Sequence, residues 1–269
     1  LADTSWIKPG TVMREIGLNT EASFKLIDFC ARKGIDNILY DGLWYGPDKD
    51  IKSYPGTPKP GLDLQAAIRY AKEKGIGVFL YLDKIAVERY ADEVFPLYEK
   101  WGVKGIKPGF VSTGNQEWQE WIEATVKKAA EYHLMVNIHD AYRPTGFSRT
   151  YPNLVTQEGI HGNEQQPNAD HDAMLPFTRF TIGAGDYTPG YLRVGLQSTW
   201  AHRLALPVLF YSPAQFLFWR ERPEAGHDRP ELKYWEHIPT VWDDTKVIDG
   251  AIGEYVIMAR RSGAMWYVG

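Results

Sequence analysis

Between Val136 and Glu164 the chain carries His139, Asp140, Glu158 and Glu164, set in glycine-bearing loops that follow two short apolar runs at 134–138 and 153–156. Three carboxylates and a histidine this close together are poor material for a core, because buried charge is costly unless it is paired. They suit the holding of a metal ion or the movement of protons. Carboxylates that converge repel one another until a cation or a shared proton relieves them. A hard cation with oxygen ligands, Ca²⁺ above all, would do so. The D-x-D-x-D-G loop of an EF-hand is absent, so such ligands must come from separate strands. Glu15, Asp41, Asp83 and Asp186 add four more carboxylates at or just after apolar runs. For Asp41 and Asp83 taken singly, capping of the following helix is as good a reading as chemistry.

Glycoside hydrolysis is the reaction class that needs paired carboxylates and aromatic platforms but no organic cofactor. One carboxylic acid protonates the leaving oxygen; the other attacks the sugar or activates water. Aromatic residues make up 14% of the chain, with ten Trp and sixteen Tyr, which suits the stacking of flat polar ligands. Schiff-base chemistry from Lys84 or Lys107 is the competing enzyme reading. It ranks lower because neither lysine has a phosphate-binding loop beside it. Among the histidines, His139 reads as functional and His171 as a candidate, while His133, His202, His227 and His237 read as surface or packing residues. No H-E-x-x-H motif or Cys/His cluster points to zinc. Cys30, the single cysteine, sits in a helical apolar pattern and reads as a buried thiol.

These residues need elements to position them, and the pattern supplies five similar units. Apolar runs at 11–16, 35–40, 76–82, 103–106 and 134–138 each end in polar or acidic residues, and helical periodicity follows the first four. The helices span about 19–33, 63–74, 88–101 and 116–132, with Gly34, Gly75 and Gly102 after the first three. Continuous apolar strands alternating with helices predict a parallel sheet covered by helices. Functional residues at strand C-terminal ends predict a (β/α)₈ barrel of the TIM type. No G-x-G-x-x-G or G-x-x-x-x-G-K-[ST] loop follows the first strand, which disfavours a doubly wound sheet. Later strands are expected at 208–211 and 238–241. The last residues, 252–269, hold two strand-like runs joined by Arg260-Arg261-Ser262-Gly263, a hairpin signal that a barrel does not need. Such a tail is expected to be poorly anchored unless it packs on the barrel.

A chain of 269 residues at 44% hydrophobic can form one large core. Its net charge of −4, without a basic stripe, argues against a nucleic-acid surface. No apolar run approaches the roughly 20 residues of a membrane span, and the first residues carry no signal-peptide pattern.

The run H-D-A-Y-R-P-T-G-F-S-R-T-Y-P-N-L-V-T-Q-E-G-I-H-G-N-E, with L-P-F-T-R at 175–179 and D-Y-T-P-G at 186–190, resembles glycoside hydrolase family ninety-seven. That family comprises calcium-dependent α-glycosidases. The resemblance runs from about Trp6 through V-W-D-D-T-K-V-I-D-G into the terminal hairpin. It implies a catalytic barrel over residues 1–250 and the first hairpin of a C-terminal β domain over 251–269, with the family's N-terminal β-sandwich, which contributes a calcium ligand, absent from this chain. It also implies an oligosaccharide substrate and a periplasmic or secreted location. By the resemblance Glu164 matches the general acid and Glu158 a calcium ligand. Retaining members carry an Asp nucleophile after the fourth strand, in K-x-D-F, and Gly after the fifth strand's His. Inverting members carry Gly at the first place and a Glu base, also a calcium ligand, at the second. Here the residues are K-P-G-F at 107–110 and H-D at 139–140. The pattern is inverting, with Asp140 as base and calcium ligand, and Asp standing for Glu. That departure withdraws the carboxylate by about 1.5 Å, a displacement able to cost about 10²-fold in rate. Asp83 is the candidate second carboxylate, and Glu164 joins Asp140 and Glu158 around the Ca²⁺. Lys107 and His139 match sugar-hydroxyl contacts, with Asp41, Trp44 and His171 as further substrate contacts. An α-glucoside is favoured over an α-galactoside; a degenerate sugar-binding member is the reading from another class.

Overall fold

The alternation of apolar runs and amphipathic helices folds as expected into parallel β/α units. The computed structural model describes residues 1–191, 197–225 and 229–269; His227 lies outside them. In chain order come β1 (Gly10–Glu15), α1 (Thr20–Lys33), β2 (Asn37–Tyr40), α2 (Leu64–Glu73), β3 (Gly77–Asp83), α3 (Lys84–Trp101), β4 (Gly105–Gly109), α4 (Gln116–Glu131), β5 (Met135–Ile138) and β6 (Leu154–Gln157). After β6 follow α5 (Ala169–Met174), α6 (Trp200–Leu209) and β7 (Ala214–Phe216).

The helix starts are written locally. Asn19, Asp63, Asp83 and Asn115 each accept a hydrogen bond from the amide three residues on, capping α1 to α4. α1 and α3 stop at Gly34 and Gly102, whose φ of 66° and 87° glycine adopts without strain. Strands β2, β4, β5 and β6 are buried along their whole length, as strands sandwiched between a barrel interior and a helical ring must be.

The seven strands form one parallel sheet in the order β6-β5-β4-β3-β2-β1-β7. Between β6 and β7, residues 185–188 take the remaining place in the barrel wall: the Asp186 amide donates to the Gln157 carbonyl at 2.9 Å and the Gly185 amide to the Tyr211 carbonyl at 3.0 Å. The fold is the (β/α)₈ type, with one wall position filled by a segment that forms no strand. Two expected strands are corrected. Residues 208–211 finish α6 and turn, with β7 beginning at Ala214, and residues 238–241 form no strand. Both runs are apolar but short, and periodicity does not tell a buried helix end or turn from a strand.

The last segment is a three-stranded antiparallel sheet, β8 (Asp244–Ala251), β9 (Tyr255–Ser262) and β10 (Met265–Val268), in the order β10-β9-β8. It takes in residues 244–250, which the sequence assigns to the barrel. The expected hairpin is β9–β10, turning at Gly263. The sheet is anchored: Val256 and Met258 pack against the buried cluster that includes Leu206 and Phe210, and the Arg260 guanidinium donates to the Leu209 carbonyl at 3.1 Å. The sheet leaves Val247, Ile248, Met265 and Val268 exposed. Among the described residues no helix is long and apolar enough to cross a membrane.

Candidate functional site

Strand tips at one end of the barrel carry the candidate residues, and backbones around them are strained. Leu43, Lys49, Phe110, Asp140, Thr188 and Phe218 have φ between 53° and 72°, and all lie in segments that follow strand C-terminal ends. Non-glycine residues in this region cost about 1–3 kcal/mol each and cluster where function holds them. Asp140, at φ 69°, is pinned on both sides. Its Oδ2 accepts from the Val111 amide at 2.8 Å, and its own amide donates to Glu158 Oε2 at 2.8 Å. β4, β5 and β6 are thereby tied together at their tips.

Beneath them lies a buried charge network. Lys107 on β4 is 0% exposed; its ammonium stands 2.9 Å from Asp186 Oδ2 and 3.3 Å from Glu158 Oε1. Asn137 on β5 donates to the same Asp186 oxygen at 2.7 Å. The rings of Trp219 and Phe216 face the ammonium at 4.6 and 4.7 Å. Burial works to lower the Lys107 pKa, but Asp186, Glu158 and Asp41 outweigh it and hold the group cationic. Burial raises the Glu158 pKa, with Lys107 and His139 opposing. His139 Nδ1 lies 3.2 Å from both Asp140 Oδ1 and Glu158 Oε2. Burial works to lower the His139 pKa, and the two carboxylates more than reverse it. For Asp140 burial pushes upward, yet His139 and the Val111 and Phe110 amides win and the net shift is downward. Asp140 is thus an ionised carboxylate near neutrality, the state a general base requires.

Of the cavities among the described residues, two meet at Asp140. One of about 540 Å³ is lined by His139, Asp140, Arg143, Glu158, His161 and Glu164. The other, about 450 Å³, is lined by Lys49, Asp83, Lys84, Glu88, Phe110 and Asp140. Asp140 belongs to both. Glu164 sits in a one-turn 3-10 segment whose neighbour Asn163 is gripped by Arg203 Nη1 at 2.8 Å. Arg220, on the turn after β7, holds Glu164 Oε1 at 2.9 Å.

The structure brings Asp140, His139, Glu158 and Glu164 together and keeps other candidates apart. Trp44 is 0% exposed and donates its indole N–H to the Tyr81 carbonyl at 2.7 Å, so it braces β3 and touches no solvent. Lys107 is equally enclosed: it orients Glu158 and Asp186 from below and has no exposed atom for a sugar. Asp41 is paired with Arg14 at 2.7 Å. Asp83 accepts from the Ala86 and Lys49 amides and from the Tyr45 hydroxyl, which makes it a helix cap and loop anchor at the rim of the second cavity. His171 donates from Nε2 to the His161 carbonyl at 3.0 Å, and so positions a cavity-lining loop from outside. The sequence reading missed Arg179. Its guanidinium makes five hydrogen bonds, to the carbonyls of Gln157, Glu158, Gly159, Gly183 and Ala184, stapling the Glu158 tip to the Asp186 segment. Its only signal was the L-P-F-T-R run that ends on it.

His139, Glu158 and Glu164 offer ligand atoms that all lie within 4.8 Å of one another. Asp140, expected as a ligand, is not in that group, and His139 stands in its stead. A hard cation takes about 6–8 oxygens, so Glu158 and Glu164 fit one but fill only part of its shell.

The model of the family described as Glycoside hydrolase 97 matches residues 5–160, and that of the Glycosyl-hydrolase 97 C-terminal, oligomerisation domain matches 241–269. A retaining alpha-galactosidase of Bacteroides thetaiotaomicron is 33% identical over 303 aligned positions, covering 100% of this chain and 45% of the relative. A Glycoside Hydrolase Family 97 enzyme from Pseudoalteromonas sp. strain K8, solved in complex with acarbose, is 27% identical at a TM-score of 0.86, with 99% of this chain and 50% of that one covered. A solved beta-arabinopyranosidase is 25% identical at a TM-score of 0.84, covering 97% of this chain and 46% of its own. The chain thus spans about half the length of the relatives it matches. Matched by the family model over more than half its length, on a barrel with acidic residues gathered at its strand tips, it belongs to the glycoside hydrolase 97 family.

Proposed function

We propose that the chain is the catalytic barrel of an exo-acting α-glycosidase that works with inversion. Glu164 serves as general acid and Asp140 as the base that activates water. One observation carries the reading: Asp140 and Glu164 line one cavity, while β4 ends in Gly109 and offers no carboxylate for covalent attack. An inverting site needs its two carboxyl groups about 6.5–9.5 Å apart with water between, whereas a retaining one needs a nucleophile about 5–5.5 Å from the acid. Asp140, ionised by its neighbours, suits proton removal from that water. Glu164, protonated and released from Arg220, donates its proton to the leaving oxygen as the glycosidic bond breaks. An α-glucoside is the favoured substrate, on the resemblance to the family's inverting pattern. The retaining alpha-galactosidase relative supports the runner-up, an α-galactoside.

Ca²⁺ is the cofactor that Glu158 and Glu164 fit, with His139 beside them. When bound, such an ion supplies positive charge that steadies the carboxylates and polarises oxygens near it. Among the chain's own residues, Lys107 contributes positive charge as well, neutralising Glu158 from below.

The deciding experiment follows the first anomer released from an α-glucoside and an α-galactoside by ¹H NMR. Initial release of the β-anomer is expected, and initial release of the α-anomer would overturn the mechanism. A catalytically degenerate sugar binder would release neither, and would show the same binding in wild type and E164Q.

A further inference from the structure

We propose that Tyr81 sets the stereochemical route of this site, by filling the space that any side chain on residue 109 would need. The inference rests on the glycosidase reading above, and its packing half can be tested without it. β3 and β4 pair with Tyr81 opposite Lys107 and Asp83 opposite Gly109. That register lays the Tyr81 ring across the tip of β4. Gly109 is not among the residues with positive φ, so its backbone would accept any amino acid. The obstacle is steric. A Cβ built on Gly109 would lie 2.2 Å from Tyr81 Oη and 2.3 Å from its Cε2, far inside the 3.0 Å that real contacts respect.

The phenol has little room to swing aside. Tyr81 is 4% exposed and meets the His139 ring edge to face, with centroids 6.1 Å apart. Interiors are packed too densely to absorb a displaced ring cheaply. Burial and the nearby Asp48, Asp41 and Asp140 push its ionisation upward, so it stands at the β4 tip as a neutral hydroxyl. Gly109 and Tyr81 therefore act as one unit. Glycine removes the nucleophile's attachment point, and the phenol takes its room. Asp140 on the next strand is left to act through water. Acquiring a covalent route here requires two changes, and either alone leaves the site without one.

A double-mutant cycle on the full chain tests the packing. G109A is expected to lower Tm by about 4 °C or more beside Tyr81, and by much less in the Y81A background. Equal losses in both backgrounds would overturn the inference whatever the substrate. The route is tested by mass spectrometry with 5-fluoro-α-glucosyl and 5-fluoro-α-galactosyl fluorides. In Y81A/G109D the introduced carboxylate oxygen attacks C1; the C1–O bond forms, the C1–F bond breaks, and fluoride leaves with its electron pair. One glycosyl adduct is expected on Y81A/G109D, and none on wild type, Y81A or G109D. An adduct on G109D equal to that on the double variant, or none on either, would refute route-setting by Tyr81. Y81F keeps the ring, and is expected to retain both the coupling to G109A and the wild-type anomeric outcome. A wild type that releases the retained anomer sinks the proposed function, while the melting cycle still decides the packing.

Discussion

Replacing Arg179 by alanine should loosen the site more than any other single change outside it. The guanidinium donates from Nε to Gly159, from Nη1 to Gly183, and from Nη2 to Gln157, Glu158 and Ala184, at 2.7–3.3 Å. A hydrogen bond to a charged group contributes about 1.5–3 kcal/mol net. Simple addition over five would exceed the total stability of many domains, and water entering the gap recovers part of it. A loss of about 3–5 kcal/mol is the expected scale, that of removing one partner from a buried charged network. It corresponds to a fall in Tm on the order of 10 °C. Because the carbonyls released flank Glu158 and Asp186, a shift of about 1 Å there should lower kcat/KM by about 10²-fold. R179K keeps the charge but loses the planar fork, and should fall between the two. Calorimetry and initial rates on the purified chain measure both effects. R179A melting within about 2 °C of wild type at unchanged kcat/KM would refute the staple.

Other outcomes follow from the same geometry. W44F should leave KM unchanged, because the indole is enclosed, yet lower stability by about 1–3 kcal/mol through the orphaned Tyr81 carbonyl; a raised KM would restore Trp44 as a sugar contact. Added Ca²⁺ should raise Tm, by up to about 2.7 kcal/mol of stabilisation at a hundredfold excess over Kd. E158Q should lose that response, and a full response in E158Q would remove Glu158 from the ligand set. Glu15 has its pKa raised by burial, against the Leu18 and Gly17 amides that lower it. Its stabilising share is thus complete below the unfolded value of about 4.3 and is lost as pH rises through the folded one. E15Q should therefore gain Tm relative to wild type as pH rises above about 4.3, and a difference that is flat with pH would contradict the assignment.

Several parts of this protein were decided along the chain itself. Caps such as Asn19 and Asn115 and stops such as Gly34 act within a few residues, so the first four units read directly from periodicity and end signals. Acidic residues crowded at the ends of apolar runs announced a site for the same reason: charge is too costly in a core to be there by default. Gly109 and the pair His139-Asp140 were legible as residue types, and they gave the mechanism its direction. Which side chains reach solvent was decided only in three dimensions. Trp44, Lys107 and Asp83 look like ligand contacts in one dimension, but their three-dimensional neighbours engage Trp44 and Lys107 below the rim and Asp83 at it. They meet the Tyr81 carbonyl, Asp186, and the amides of Ala86 in α3 and of Lys49 in the loop after β2. Arg179 lies more than a dozen residues from the Glu158 it secures, and no spacing rule joins them. The wall segment at 185–188 and the early start of the antiparallel sheet at Asp244 likewise follow from closure and packing. Tyr81 makes the point most directly. Its phenol ring and the absent side chain of Gly109 compete for one volume, and only the pairing of β3 with β4 brings them to it.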